Sequence, residues 1–322
     1  MFKIKLYYWK HKNFKGMLIL STKVNIISGF LGAGKTTFLK KVISNMEGKI
    51  ALIENEFGDV GIDGDLVKNK FTVKEIYAGC ICCSLVNDLK KGIKELILKY
   101  NPDNIFIEPS GVGSLSQVVK SCENFSKNSD FDIEINNLIT IVDVSTFQDY
   151  SQNFGSFYLD QIKNANIILF SHINEVEHNE FQTVISKIRS YNEKAFILEE
   201  DWYLNDGKNI IEIINGFKTC NVEVKEKRRL LPASRVFNTV SCSNLRVFSK
   251  EEFGKILSFF TSKEHGFILR AKGMVELKNN KFIYFDYTPY HNSLKYLDKC
   301  DETKIVVIGN KLKKQEILEI FR

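Results

Sequence analysis

No stretch of this 322-residue chain approaches the roughly 20 consecutive apolar residues that a bilayer-spanning helix needs. A membrane protein is therefore not expected. The opening segment MFKIKLYYWKHKNFKG is basic and aromatic, but it lacks the long apolar core and small-residue cleavage site of a secretory signal. Residues 1–16 read as an extension in front of the domain, and the chain reads as cytoplasmic. Helix-turn-helix, zinc-finger and aromatic RNA-binding signatures are also missing. The net charge of +6 contains one compact basic block, Lys225 to Arg229, which reads as a solvated linker. Nucleic acid is not an expected partner. There is no internal repeat and no low-complexity tract. An even cysteine framework is lacking too: the seven cysteines are an odd number, unevenly placed. A stapled secreted scaffold is thereby excluded, and clustered thiols in such a chain read as metal-binding or reactive. The scattered Cys122, Cys220, Cys242 and Cys300 read as buried small hydrophobes.

What is present is a chain 44% hydrophobic and 26% charged, enough for a substantial core and long enough for two domains. Short apolar runs alternate with helix-length segments: Val24 to Ser28, Lys49 to Glu54, Asn104 to Glu108, Leu138 to Asp143, Asn166 to Ser171 and Ala195 to Glu199. Runs apolar throughout and separated by helices predict an α/β fold, a mostly parallel sheet covered on both faces. Leu85, Leu89, Ile93, Leu96 and Ile97 recur at helical spacing, as do Phe181, Val184, Ile185 and Ile188. The charged segment Asn221 to Pro232 breaks this pattern. Beyond it, strand-like runs lie close together around the helix-like EEFGKILSFF and end in KKQEILEIF, which predicts a small α+β domain. The expected division is 17–220, a linker over 221–232, and 233–322.

The segment GFLGAGKT, Gly29 to Thr36, fits G-x-x-x-x-G-K-S/T between a strand and a helix, the context of a P-loop. Gly29, Gly32, Ala33 and Gly34 would let backbone N–H groups converge on phosphate oxygens. The following helix would present its positive end. Lys35 would reach the β and γ phosphates, and Thr36 is the expected Mg²⁺ ligand. At the end of a later strand, Glu108 stands where an acid near Mg²⁺ is needed. Gly111 completes E-P-S-G, whose backbone could approach the γ-phosphate. A further loop, IENEFGDVGIDGDL, is rich in carboxylates, including Glu54 and Asp59.

The order GFLGAGKTT, ENEFGDVGIDGDL, GCICC and EPSG resembles the CobW family of metal-associated P-loop GTPases, relatives of the nickel-inserting accessory GTPases for urease and hydrogenase. The later RAKGMVEL, FIYFDYTPY and IVVIGNKL resemble that family's C-terminal domain, so the likeness runs from about Val24 onward. The resemblance implies phosphate and Mg²⁺ binding by Gly32, Gly34, Lys35, Thr36 and Thr37. It also implies metal binding by Cys80, Cys82 and Cys83, with Glu54 and Asp59 as further acidic positions, and a strand-end acid at Glu108. The chain departs from the family at the base-reading motif N-K-x-D, where it has Ser171, His172, Ile173 and Asn174. An Asp accepts two guanine N–H bonds, whereas Asn174 offers one acceptor and one donor. His172 could stack on a base where the lysine stem would lie. GTP is the first expectation, and another NTP remains open. The His-rich tract of some relatives is absent, for the chain holds five histidines.

Cys80, Cys82 and Cys83 form C-x-C-C just before Ser84, a candidate N-cap. The positive end of a helix favours thiolate at Cys82 and Cys83. Thiolates suit Zn²⁺ and other thiophilic ions. Three ligands leave a tetrahedral set one short, which suits a site that takes up and gives up metal. The expectation is a slow NTP hydrolase that couples Mg²⁺–GTP to loading or delivery of Zn²⁺ or Co²⁺ to a client metalloprotein, with a homodimer as one assembly. A metal buffer or sensor without turnover and a small-molecule kinase are the alternatives.

Overall fold

The computed structural model describes residues 21–57, 72–78, 84–204, 208–216, 236–300 and 302–322. Seven strands form the first sheet: β1 (Thr22–Gly29), β2 (Ile50–Phe57), β3 (Thr72–Ala78), β4 (Asn104–Glu108), β5 (Ile133–Asp143), β6 (Ile167–Ser171) and β7 (Phe196–Leu198). Their order is β3-β2-β4-β1-β5-β6-β7, and every pairing is parallel. Around them run α1 (Lys35–Asn45), α2 (Ser84–Tyr100), α3 (Leu115–Lys127), α4 (Phe147–Asn153), α5 (Gly155–Lys163), α6 (His178–Tyr191) and α7 (Lys208–Gly216).

Successive strand residues point to opposite faces. Val24 and Ile26 of β1 join Leu89, Ile93, Val118 and Cys122 in one core. Ile27, on the other face, joins Phe38, Leu39, Val42 and Ile214 in a second. Both faces are thus covered by helices, as the uninterrupted apolar runs require.

Strand β3 was not expected from its sequence. TVKEIYA carries two charges, and the strand lies at the sheet edge with β2 as its partner. An edge strand needs less apolar character than a central one. Strand β5 begins earlier than expected, because its polar start pairs with β1 through a bulge between Val24 and Asn25. Helix α2 opens at Ser84 itself rather than after it, within the usual ambiguity of about one or two residues at a helix end.

The second sheet contains β8 (Asn238–Ser243), β9 (Phe267–Glu276), β10 (Phe282–Tyr287), β11 (Asn292–Leu297) and β12 (Lys304–Asn310). Its order is β11-β10-β9-β12-β8, antiparallel throughout. Helices α8 (Lys250–Thr261) and α9 (Lys314–Phe321) bury Phe253, Ile256, Phe260, Ile317 and Phe321 against Val275, Ile283, Phe285 and Val307. Ser249 begins α8 with a capping box: Glu252 N–H donates to Ser249 Oγ at 3.1 Å, and Ser249 N–H donates to Glu252 Oε2 at 2.6 Å.

A further core joins the two sheets. Phe237, Leu269, Val306 and Ile308 of the C-terminal part pack with Phe30, Phe154, Phe157 and Tyr158. The expected extension over 1–16 and the linker over 221–232 lie outside the described residues. Cys122 and Cys242 are buried as expected, and burial pushes the Cys122 thiol up to about 12. Cys300 differs. It is partly exposed, and its Sγ donates to the Glu302 carbonyl at 2.9 Å, because it lies between β11 and β12 rather than in a core. Cys220 lies outside the described residues. Among the described residues no helix is long and apolar enough to cross a membrane.

Candidate nucleotide and metal site

Strand β1 ends at Gly29, and the chain turns through Phe30 to Gly34 into α1. The turn depends on glycine at two places. A Cβ on Gly29 would lie 2.6 Å from the Ile141 carbonyl oxygen, and Gly34 adopts φ 91 as the N-cap of α1. Among the described residues no side chain caps α1, and its first turn holds no acidic residue. Its leading N–H groups and positive end are thus offered to the loop, the arrangement that binds phosphate.

The remaining P-loop residues anchor the turn. Phe30 and Leu31 are buried, and the Phe30 ring meets Tyr150, Phe154 and Tyr158 at 4.8, 5.5 and 5.6 Å between centroids. Ala33 is buried with Ile27 and Phe38, and Thr37 is exposed. Lys35 is buried and its Nζ donates to the Phe30 carbonyl at 3.1 Å, which holds the ammonium over the loop.

Thr36 Oγ1 donates to Glu108 Oε1 at 3.1 Å and lies 3.3 Å from Oε2. Glu54 of β2 is in register with Glu108 of β4, and both are buried. A hydroxyl and two carboxylates are therefore brought to the same end of the sheet. These are hard oxygen donors, the set that suits Mg²⁺.

The E-P-S-G loop lies against the P-loop. A Cβ on Gly111 would fall 2.8 Å from the Leu31 backbone nitrogen. Helix α5 holds this loop in place: Gln161 Nε2 donates to the carbonyls of Gly111 at 3.0 Å and Gly113 at 2.9 Å. Asp160 Oδ2 accepts from Ser114 Oγ at 2.8 Å and from Ser116 N–H at 3.1 Å. Neither Asp160 nor Gln161 stood out in the sequence, since adjacent polar residues on a helix carry no motif.

The segment expected to read the base follows β6. His172 takes a left-handed φ of 58 and begins a single 3-10 turn over Ile173–Glu175. Asn174 Nδ2 donates to Asp201 Oδ2 at 3.4 Å, so the loop after β7 sets a carboxylate beside the asparagine. Trp202 follows, buried edge-to-face on Phe38 at 5.3 Å, with its ring 3.7 Å from a Cβ placed on Gly34. The His172 ring stacks on His291 at 3.8 Å. His291 in turn meets Asp143 Oδ2 at 3.1 Å, and this bond with its carboxylate raises the His291 pKa against the effect of burial. Asp143, Asp201, Trp202 and His291 belong to this region and were not singled out in the sequence.

Among the described residues, four buried polar atoms at this end of the sheet have no hydrogen-bond partner: Ser28 Oγ, Ser110 Oγ, Ser171 Oγ and Trp202 Nε1. Cys80, Cys82, Cys83 and Asp59 lie outside the described residues. The chain enters the cysteine segment from β3 at Ala78 and leaves it into α2 at Ser84.

A P-loop between β1 and α1, with strand-end carboxylates beside its threonine, defines a P-loop NTPase fold. Residues 23–199 match the family model for the CobW/HypB/UreG nucleotide-binding domain, and the chain belongs to that family. It is 38% identical over 127 residues to the zinc chaperone CobW of a Sinorhizobium species, a match covering 37% of this chain and 35% of that protein. It is 27% identical over 295 residues to zinc-regulated GTPase metalloprotein activator 1 of Dictyostelium discoideum, covering 73% and 61%. The match thus spans about a third of the first relative's length and about three-fifths of the second's. Among solved structures, Zn(II)-bound YjiA GTPase from E. coli covers 93% of this chain and 98% of its own at a TM-score of 0.45 and 21% identity.

Proposed function

We propose that the protein is a metal-handling GTPase of the chaperone type. It would couple binding and hydrolysis of Mg²⁺–GTP to the loading or delivery of a zinc-class divalent cation, Zn²⁺ or Co²⁺, through Cys80, Cys82 and Cys83. The observation that carries this reading is the meeting of Thr36 with Glu108, with Glu54 in register beside it. The Glu54 strand is paired with β3, the strand that leads into the cysteines. Phosphate chemistry and the cysteine segment are therefore joined through two neighbouring strands. The names of the zinc chaperone and metalloprotein activator relatives support the same reading.

In this proposal Gly29 to Thr37 cradle the phosphates, and Lys35 exchanges the Phe30 carbonyl for β and γ phosphate oxygens. Thr36, Glu108 and Glu54 would hold Mg²⁺, which offsets charge on the phosphates when bound. Water adds to the γ-phosphorus and the β–γ phosphoanhydride bond breaks, releasing NDP and phosphate. Gly111 N–H stabilises charge on the γ-phosphoryl oxygens. Turnover is slow, as no arginine finger or catalytic glutamine has been assigned. His172 and Asn174 border the base. Asp201 supplies the carboxylate that the base-reading segment lacks, accepting the guanine N–H groups that Asn174 cannot accept together. Residues 17–220 form the NTPase unit, 221–232 the linker and 233–322 the face for a client metalloprotein.

The test is a Zn²⁺ titration of the protein with and without a non-hydrolysable GTP analogue, on the unaltered chain and on Cys82→Ala. Affinity should respond to both changes. An affinity indifferent to both sinks the chaperone reading. Phosphate release no greater than that of Lys35→Ala would point to a buffer or sensor, and transfer to a small-molecule acceptor would point to a kinase.

A further inference from the structure

Three ligating side chains meet where the C-terminal sheet touches the end of the first sheet. Asp143 closes β5 and is buried. His172 follows β6, and His291 sits in the turn between β10 and β11. One ligand atom from each lies within 4.8 Å of the others. We propose that Asp143, His172 and His291 form a second metal site, a His–His–Asp centre for a zinc-class divalent cation that joins the two sheets. This inference does not rest on the cysteine reading.

The surroundings hold each ligand in place. Asp143 Oδ1 accepts from Ser145 N–H at 3.0 Å and Ser145 Oγ at 2.7 Å, which fixes the carboxylate and leaves Oδ2 toward His291. The His291 backbone is pinned by its turn: Thr288 N–H donates to the His291 carbonyl at 2.8 Å, and His291 N–H donates to Thr288 Oγ1 at 3.0 Å. Glu175 Oε1 is hydrogen-bonded to His172 Nδ1 at 2.6 Å, and its Oε2 lies 3.6 Å from His291 Nδ1, beyond hydrogen-bond distance. A carboxylate on Nδ1 is the usual outer partner of a metal-bound histidine, since it fixes the tautomer whose Nε2 carries the lone pair. Two imidazoles, one carboxylate and an open fourth position make the ligand set of many zinc sites.

Magnitudes favour a metal over a simple ion pair. Ligands at zinc bond lengths in a tetrahedron lie about 3.3 Å apart, and His291 Nε2 is 3.1 Å from Asp143 Oδ2. An ion pair accounts for that contact alone. It leaves out the second imidazole, whose Nδ1 lies on the same glutamate; the two rings stack within 14° at 3.8 Å and would turn apart to aim both Nε2 lone pairs at one ion.

The experiment uses the full chain with Cys80, Cys82 and Cys83 changed to Ser, titrated with Co²⁺ as a visible stand-in for zinc. One equivalent should bind with the absorption of nitrogen and oxygen ligands and be displaced by Zn²⁺. Glu175→Gln in that chain should weaken binding about tenfold to a hundredfold, and His291→Gln should abolish it. His172→Asn removes the other imidazole while keeping a residue that tolerates a left-handed φ, and it should abolish binding as well. No Co²⁺ bound, a thiolate charge-transfer band, or binding that survives both histidine changes would overturn the site. Any of those results leaves the Cys82-dependent titration of the unaltered chain to stand or fall by itself.

Discussion

The two ends of the seven-stranded sheet are built on opposite terms. Near the end where the strands begin, buried amides satisfy one another. Asn25 Oδ1 accepts from Asn136 at 3.0 Å and Asn137 at 3.2 Å, and Asn25 donates to Asn104 at 3.3 Å. Asn137 also donates to the Ile214 carbonyl at 2.8 Å, and Asn166 reaches Asn137 and the Leu138 N–H. At the other end, among the described residues, Ser28, Ser110, Ser171 and Trp202 carry buried polar atoms without partners, and α1 has no side-chain cap. A buried polar group left unpaired costs about 1–3 kcal/mol. One end therefore spends its polar groups on stability, and the other holds them at the mouth of the proposed nucleotide site. Ligands of open parallel sheets bind beyond the carboxyl ends of the strands, and the same asymmetry appears here.

The largest effect should come from the nucleotide end. Lys35→Ala should lower phosphate release from Mg²⁺–GTP by at least about a hundredfold, measured by a phosphate-release assay, with little change in the unfolding midpoint. The closed end should respond the other way. Asn25→Leu removes the oxygen that accepts from both Asn136 and Asn137, so urea unfolding should show a loss of about 3 kcal/mol, with GTP affinity unchanged. Gly111→Ala should couple the two readouts. Its Cβ meets the Leu31 backbone at 2.8 Å, so stability should fall by about 2 kcal/mol and phosphate release should drop with it. Asp201→Asn should leave phosphate binding intact and reduce discrimination of GTP over ATP about tenfold, read by competition binding. The smallest effect lies in the second sheet's layer, away from both ends. Ser249→Ala should cost about 1 kcal/mol by loss of the α8 cap, without altering nucleotide affinity. The Ser249 N–H bond holds the Glu252 carboxyl below its usual 4.5, so its share of the cap is present above that pH and fades as pH falls through the lowered value.

Central elements were legible in the sequence because their signal is local. NIFIE appears as β4 with the bounds its apolar run suggests, and the glycines of GFLGAGKT mark the strand–turn–helix where they stand. Strand β3 escaped because an edge strand with two charges has no such run. Phe30 and Leu31 fall at variable positions of the motif, so nothing in the pattern marked them as core residues that anchor the loop. Asp160 and Gln161 escaped for a related reason: their work is to hold a backbone that lies some 50 residues earlier.

What the sequence by itself determined is the local chemistry. It set a phosphate-cradling turn, an acid at the end of a buried strand, three clustered thiols and an alternation that makes a covered parallel sheet. Tertiary structure alone decided which of these groups meet. The order β2-β4-β1-β5-β6 sets Glu54 beside Glu108 and brings the ends of β5 and β6 together. The aromatic core between the sheets then seats a turn of the C-terminal sheet on those ends, so that His291 meets Asp143 across 148 residues. Sequence periodicity reports the face on which a residue lies. It does not report which distant strand lies alongside, because strand order is settled by the packing of the whole core.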